Sequence, residues 1–158
     1  MVFPIAIDRV GLVAFLLLLA QTATASDCIP DPQQWFTESY APLWAADTGE
    51  KLDQVTNHYA ETILDHPASG VPVEENSRQW LTGAIRGWQS EGWLGSELDG
   101  FSMDRINSST VVFKTRWHDR YEDNVIAYEC GWYQADLIDG QWNFTQYATI
   151  DCAAHGLE

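Results

Sequence analysis

The residues best placed to do chemistry lie in the last third of the chain. Asp139-Gly140 is a dipeptide suited to a two-residue hairpin turn, and it separates two runs in which apolar and polar residues alternate. With these two residues as the turn, Trp142 pairs with Leu137, Phe144 with Ala135, Gln146 with Tyr133, Ala148 with Gly131 and Ile150 with Glu129. Trp142, Phe144 and Ile150 mark that face as the buried one. It also carries Glu129, Tyr133 and Gln146, set among the small residues Ala127, Gly131, Ala135 and Ala148. Acid, phenol and amide groups that converge on gaps left by small side chains describe a small-molecule pocket. An acid buried there needs a partner or an upward shift in pKa. A one-residue bulge would reverse the register and return Glu129 to water as an ordinary solvated acid.

The strand before this hairpin extends the pattern. Alternation puts Val111, Phe113, Thr115 and Trp117 on the inner face and Lys114, Arg116 and His118 on the outer one. Thr115 and Trp117 therefore join Tyr133 and Gln146 as candidate ligand-binding residues, with Trp88 added from a helix upstream. Tyr128, Trp132 and Tyr147 fall on the outer face, where exposed aromatics suit a homodimer contact.

Three helices and about four strands must position these groups. Asp31 can cap a first helix, with Pro32 in its first turn and Gln34 closing a capping box, although Pro42 must kink it. A second helix is predicted over 50–64, with Leu52, Val55, Tyr59 and Ile63 as its buried stripe and His58 at the margin, on the surface. A third starts at Asn76-Ser77, buries Trp80, Leu81, Ile85 and Trp88, and stops at Gly92. Gly83 and Gly87 in that helix suggest a close approach to a neighbouring sheet. Strands are predicted near 97–106, 110–119, 125–137 and 141–151, with Asn107-Ser108 as a second, weaker turn. Helices followed by hairpin-linked strands make an α+β domain.

Composition limits the partners. The 158 residues carry a formal net charge of −15, which argues against nucleic acid and anionic membrane surfaces. The apolar run 10–20 followed by Ala23-Thr24-Ala25 reads as a signal peptide over residues 1–25, leaving 26–158 as one secreted or periplasmic domain with no membrane segment. Export permits a disulfide. Of the three cysteines, Cys28 and Cys152 lie near the ends of the mature chain and form the preferred pair, with Cys130 free. The four histidines lack metal-ligand spacing, and no phosphate loop or nucleophile elbow is present, so neither metal nor cofactor is expected. Asn107 and Asn143 head glycosylation sequons.

Tyr59-Ala60-Glu61, then Asp65-His66-Pro67 and Gly70, and finally Asp139-Gly140-Gln141-Trp142, resemble segments of the nuclear transport factor 2-like superfamily. That group includes ketosteroid isomerase and the SnoaL-type polyketide cyclases. The resemblance implies a cone-shaped roll of three N-terminal helices packed on a curved antiparallel sheet. It also implies catalytic positions: Tyr40 as a helix-1 hydroxyl donor and Asp65 or His66 as a base before Pro67. Here the family's acid-Asp-Pro reads Asp-His-Pro, and the protonated acid of the isomerase has no aligned match. Glu129 lies on a plausible strand for a second acid.

Three functions follow as expectations, in this order. The first is a secreted domain that binds a small, partly apolar molecule. The second is an acid–base enzyme, an isomerase, dehydratase or cyclase, using Tyr40, Asp65, His66 and Glu129. The third is a non-catalytic domain that dimerises through its sheet.

Overall fold

The computed structural model describes residues 29–45, 51–68, 70–123 and 126–157. The predicted signal peptide, Cys28 and the predicted stop of the first helix at Thr48-Gly49 lie outside them.

The chain enters through α1 (Pro32–Gln34), which continues as a π-helical stretch, Trp35–Tyr40, and a 3₁₀ turn, Ala41–Trp44. Asp31 Oδ1 accepts from the Gln34 amide at 3.0 Å, so the predicted cap forms. Gln34 does not close a box; its side-chain amide donates to Glu38 instead. Pro42 brings no N–H to the helix, and the winding tightens to 3₁₀ where it enters. Then come α2 (Leu52–Thr56), β1 (Tyr59–His66), β2 (Val73–Asn76) and α3 (Ser77–Ser90). Four long strands follow: β3 (Trp93–Asn107), β4 (Thr110–Tyr121), β5 (Ile126–Ile138) and β6 (Gln141–Ile150).

Of the predicted second helix only Leu52–Thr56 is helical, and Tyr59–His66 is a strand. The stripe Tyr59/Ile63 misleads because a spacing of four is even: it falls on one face of a strand as well as one face of a helix. β1 and β2 raise the sheet from about four strands to six, in the order β2-β1-β6-β5-β4-β3. The sheet is not wholly antiparallel either, since β1 runs parallel to β6. α3 touches β1 and β2 near one edge and β3 at the other, so the sheet must curl around it. Asn76 caps α3 through the Gln79 amide at 3.1 Å, and Ser77 Oγ donates to the Ala60 carbonyl at 2.5 Å, tying the helix to β1. A Cβ added at Gly83 or Gly87 would meet nothing within 4 Å, so neither glycine serves a close approach.

Asp139 (φ 50°) and Gly140 (φ 79°) form the β5–β6 turn as expected. Register follows the expected pairing through Ala135↔Phe144 and then slips: Gln134 pairs with Gln146, Trp132 with Ala148, and Cys130 with Ile150. Thr145 is the extra residue, held by a hydrogen bond to Asp136 Oδ2 at 2.5 Å. The bulge leaves β5 facing as predicted and inverts the second half of β6. Gln146 and Ala148 turn to the outer face, and Tyr147 turns inward against Tyr133 and Trp80, at 5.0 and 5.2 Å between ring centres.

The expected Cys28–Cys152 pair is replaced by Cys130–Cys152. Cys130 points outward from β5 opposite Ile150, and two further residues bring Cys152 back to it. The tail is also held by Arg116, which donates to the Leu157 carbonyl at 2.8 Å.

The centre of the inner face is packed solid. Phe36, Phe113 and Phe144 are fully buried; Phe36 stacks on Phe113 at 4.4 Å, and Phe144 lies 4.6 Å from the Tyr40 ring. Trp142 closes one side with its indole N–H on the Pro30 carbonyl at 2.7 Å. Trp35 donates to His58 Nδ1 at 3.1 Å, so His58 is half-buried rather than at the surface, and burial lowers its pKa.

Candidate functional site

Beyond the phenylalanine plug, the inner face opens into a pocket. β4 supplies Trp117, Asp119 and Tyr121, three alternate residues on one side of the strand. β5 supplies Glu129 and Tyr133. Tyr59 comes from β1, Tyr147 from β6, Trp44 from the end of the first helical segment, and Trp80, Leu81 and Trp88 from α3. Trp93 and Ser96 open β3 and complete the wall. The floor is buried (Trp44, Tyr59, Trp93, Trp117, Tyr133 and Asp119), and the half-exposed Trp80, Trp88, Tyr121, Glu129 and Tyr147 stand nearer solvent. The cavity volume is about 40 Å³. That is far below the several hundred Å³ of a drug-sized site, so the pocket suits a group of a few heavy atoms and not a steroid nucleus.

Two carboxyl groups face this space. Trp117 pairs with Glu129 across β4 and β5, which places Asp119 diagonally from Glu129 on the same face. Glu129 accepts from the Tyr147 hydroxyl at 3.0 Å. Asp119 accepts from Ser96 Oγ, which in turn accepts from the Trp93 indole N–H at 3.1 Å. Burial raises the pKa of both carboxyls; neighbouring hydrogen bonds oppose the rise, and the Asp119 charge adds to it at Glu129. The phenols of Tyr40, Tyr59, Tyr133 and Tyr147 are pushed well up, chiefly by burial, and remain donors at any ordinary pH.

The candidate residues divide into three groups. Glu129, Trp88, Trp117 and Tyr133 all line the pocket. Tyr40 and Thr115 are fully buried behind it: the Tyr40 hydroxyl is 2.6 Å from that of Tyr59, and Thr115 Oγ1 donates to the Gly131 carbonyl at 3.3 Å. Three others stand elsewhere. Asp65 pairs with Tyr147 beyond the lining. His66 and Gln146 meet on the outer face, 3.1 Å apart, beside Trp132. The gap expected at Gly131 is filled by the Tyr133 ring, which would lie 2.6 Å from a Cβ there.

Asp119 and Tyr121 were within reach of the sequence, since carrying the Val111–Trp117 alternation four residues further finds both. Tyr147 needed the bulge. Trp44, Trp80 and Trp93 read as core aromatics, and only their convergence sets them apart. Among the described residues, no group of three or more His, Cys, Asp and Glu could hold a metal ion, and no helix is long and apolar enough to cross a membrane.

No protein-family model and no curated protein matches the chain. Solved structures do. A Novosphingobium aromaticivorans protein, nuclear transport factor 2-like with a cystatin-like fold, superposes with a TM-score of 0.57 at 14% identity, over 95% of this chain and 96% of that one. A nuclear transport factor 2-like protein of unknown function from Shewanella oneidensis gives 0.52 at 16% identity, over 72% and 91%. A candidate polyketide cyclase from Xanthomonas campestris gives 0.51 at 14%, over 75% and 89%. The chain has the nuclear transport factor 2-like fold.

Proposed function

We propose that the chain is a secreted or periplasmic small-molecule-binding domain whose ligand enters the pocket between α3 and strands β3–β5. One observation carries this reading: Asp119 and Glu129 sit inside an aromatic enclosure that the core packing leaves open. A domain that needed only a core would close this space with apolar side chains and avoid the cost of burying Asp119 and half-burying Glu129. The fold itself hosts binding proteins and enzymes alike and does not decide between them.

The pocket is built largely of indoles, so tryptophan fluorescence reports on it directly. A panel of small polar and apolar compounds is expected to contain at least one that changes the emission and raises Tm. No change from any member would remove the binding reading.

A second reading, an acid–base enzyme, is favoured by the raised pKa of Glu129, which suits a general acid. In this form the acids are Glu129 and Asp119. His66 has no part in it, being held by Gln146 on the opposite face, and Tyr40 acts only through Tyr59. Turnover lost in Glu129→Gln but retained in His66→Ala is the pattern this reading requires. Dimerisation through Tyr128 and Trp132 is a third reading, from which Tyr147 drops out because it faces inward; sedimentation tests it.

A further inference from the structure

Among the described residues, no salt bridge joins Glu129 or Asp119 to a cationic side chain. Among the described residues, no Lys, Arg or His lines the pocket. The basic side chains of β4 all project from the outer face, where β3 supplies their acids: Lys114 with Asp104, Arg116 with Asp99, Arg120 with Glu97. His118 also points outward, stacked on Tyr128 at 5.4 Å between ring centres, and reaches Asp119 only through its field. The sheet thus keeps the basic side chains of β4 on its outer face, away from Asp119 and Glu129. Buried carboxylates are ordinarily paired.

The rest of the lining is chemically specific. Trp44, Trp88, Trp93 and Trp117 meet at steep angles: Trp44 makes 65° with Trp88, 68° with Trp93 and 55° with Trp117, and Trp88 makes 51° with Trp93. With ring centres 5.7–6.4 Å apart, they pack edge to face and tilted instead of in a stack, all at one end of the pocket. Indole faces carry negative quadrupole potential and attract cations, most strongly where water is excluded. A pocket lined by four indoles with two acids beside them is complementary to a compact, weakly hydrated positive charge. The small free volume suits a methylated or alkylated ammonium head of a few heavy atoms. A net charge of −15 draws such cations toward the molecule from a distance.

We infer that the pocket binds a small organic cation, a quaternary or alkylated ammonium group, held by the faces of Trp44, Trp88, Trp93 and Trp117 and neutralised by Glu129 and Asp119. This rests on the binding reading above and names its ligand class.

The test uses tryptophan fluorescence titration and calorimetry on the mature protein at neutral pH. The probes are choline, tetramethylammonium, and dimethylbutanol, the uncharged carbon isostere of choline. Choline or tetramethylammonium is expected to bind at least about ten-fold more tightly than the isostere, and that preference to collapse in Glu129→Gln/Asp119→Asn. Trp88→Leu is expected to lower cation affinity by a similar factor, while Asp104→Asn on the outer face leaves it unchanged. The wild-type comparison between cation and isostere needs no variant to fold. Equal binding of cation and isostere would overturn the cation inference and leave the binding reading standing. So would failure of both cations while a neutral member of the compound panel binds. If neither the probes nor the panel bind, both fall together.

Discussion

Glu129 and Asp136 stand on the same strand and hold the same functional group, yet their carboxyls are driven in opposite directions. Glu129 faces inward among Trp117, Tyr133 and Tyr147, with one phenolic donor, and burial raises its pKa. Asp136 faces outward. It too is partly desolvated, but Thr110, Gln134 and Thr145 all donate to it, at 2.7, 2.9 and 2.5 Å, and together they hold its pKa below the ordinary value. The difference lies in the supply of donors. A carboxylate met by three hydrogen bonds is a structural device, and one left with a single phenol in an aromatic enclosure is available to a ligand.

The contrast depends on a dry, well-packed inner face, so the largest effect is expected from opening that face. Phe144 is fully buried and contacts the rings of Trp35, Tyr40, Tyr59 and Tyr133 at 4.6–5.2 Å. Phe144→Ala should cost about 3–5 kcal/mol in urea unfolding. A loss under about 1 kcal/mol would mean that the packing is not as described.

Next is the outer face. Cys130 and Cys152 close a short loop, and reducing their bond should lower stability by about 3 kcal/mol in the chain-entropy model. Ligand affinity should be unchanged, because the bridge lies across the sheet from the pocket. Coupled loss of binding would tie the two faces together and weaken the contrast.

Asp136→Asn comes third. The new amide presents donors to the donors of Gln134 and the threonines, at a cost of about 1 kcal/mol after allowance for partial exposure. Asp136 has a depressed folded pKa, so its contribution is present above the unfolded value of about 4 and fades as pH falls through the folded one. The stability gap between wild type and variant should therefore close in acid.

Glu129→Gln should give the smallest change, and of opposite sign. A raised folded pKa means that the protonated form is the one folding favours: its contribution is complete below the unfolded value and is lost as pH rises through the folded one. Glutamine resembles that protonated form and still accepts from Tyr147. The variant should match wild type near pH 4 and exceed it at neutral pH by a few tenths to about 1 kcal/mol. A variant less stable than wild type at neutral pH would show that the ionised carboxylate is already well solvated or paired, and the contrast with Asp136 would fail.

The sequence by itself determined what depends on neighbours along the chain. Period-two alternation located the four long strands, Asp139-Gly140 specified their last turn, and Asn76 and Asp31 marked helix starts through caps that span three residues. The inward placement of Glu129 and Tyr133 followed because β5 keeps its alternation without interruption.

What only the tertiary structure decided depends on partners distant in the chain. Tyr59–His66 became a strand because β2 and β6 offer it hydrogen bonds on both edges, which no local spacing reveals. Thr145 became a bulge because Asp136 on the facing strand holds its hydroxyl, and that single inserted residue exchanged Gln146 for Tyr147 inside the sheet. Cys152 found Cys130 in the same way, by strand pairing. The indole cluster at the pocket is the clearest case: its four tryptophans come from the first helical segment, α3, β3 and β4, and each alone is an ordinary core aromatic. Side-chain alternation is a local consequence of backbone geometry, whereas the meeting of separate elements is fixed by which surfaces can be buried together.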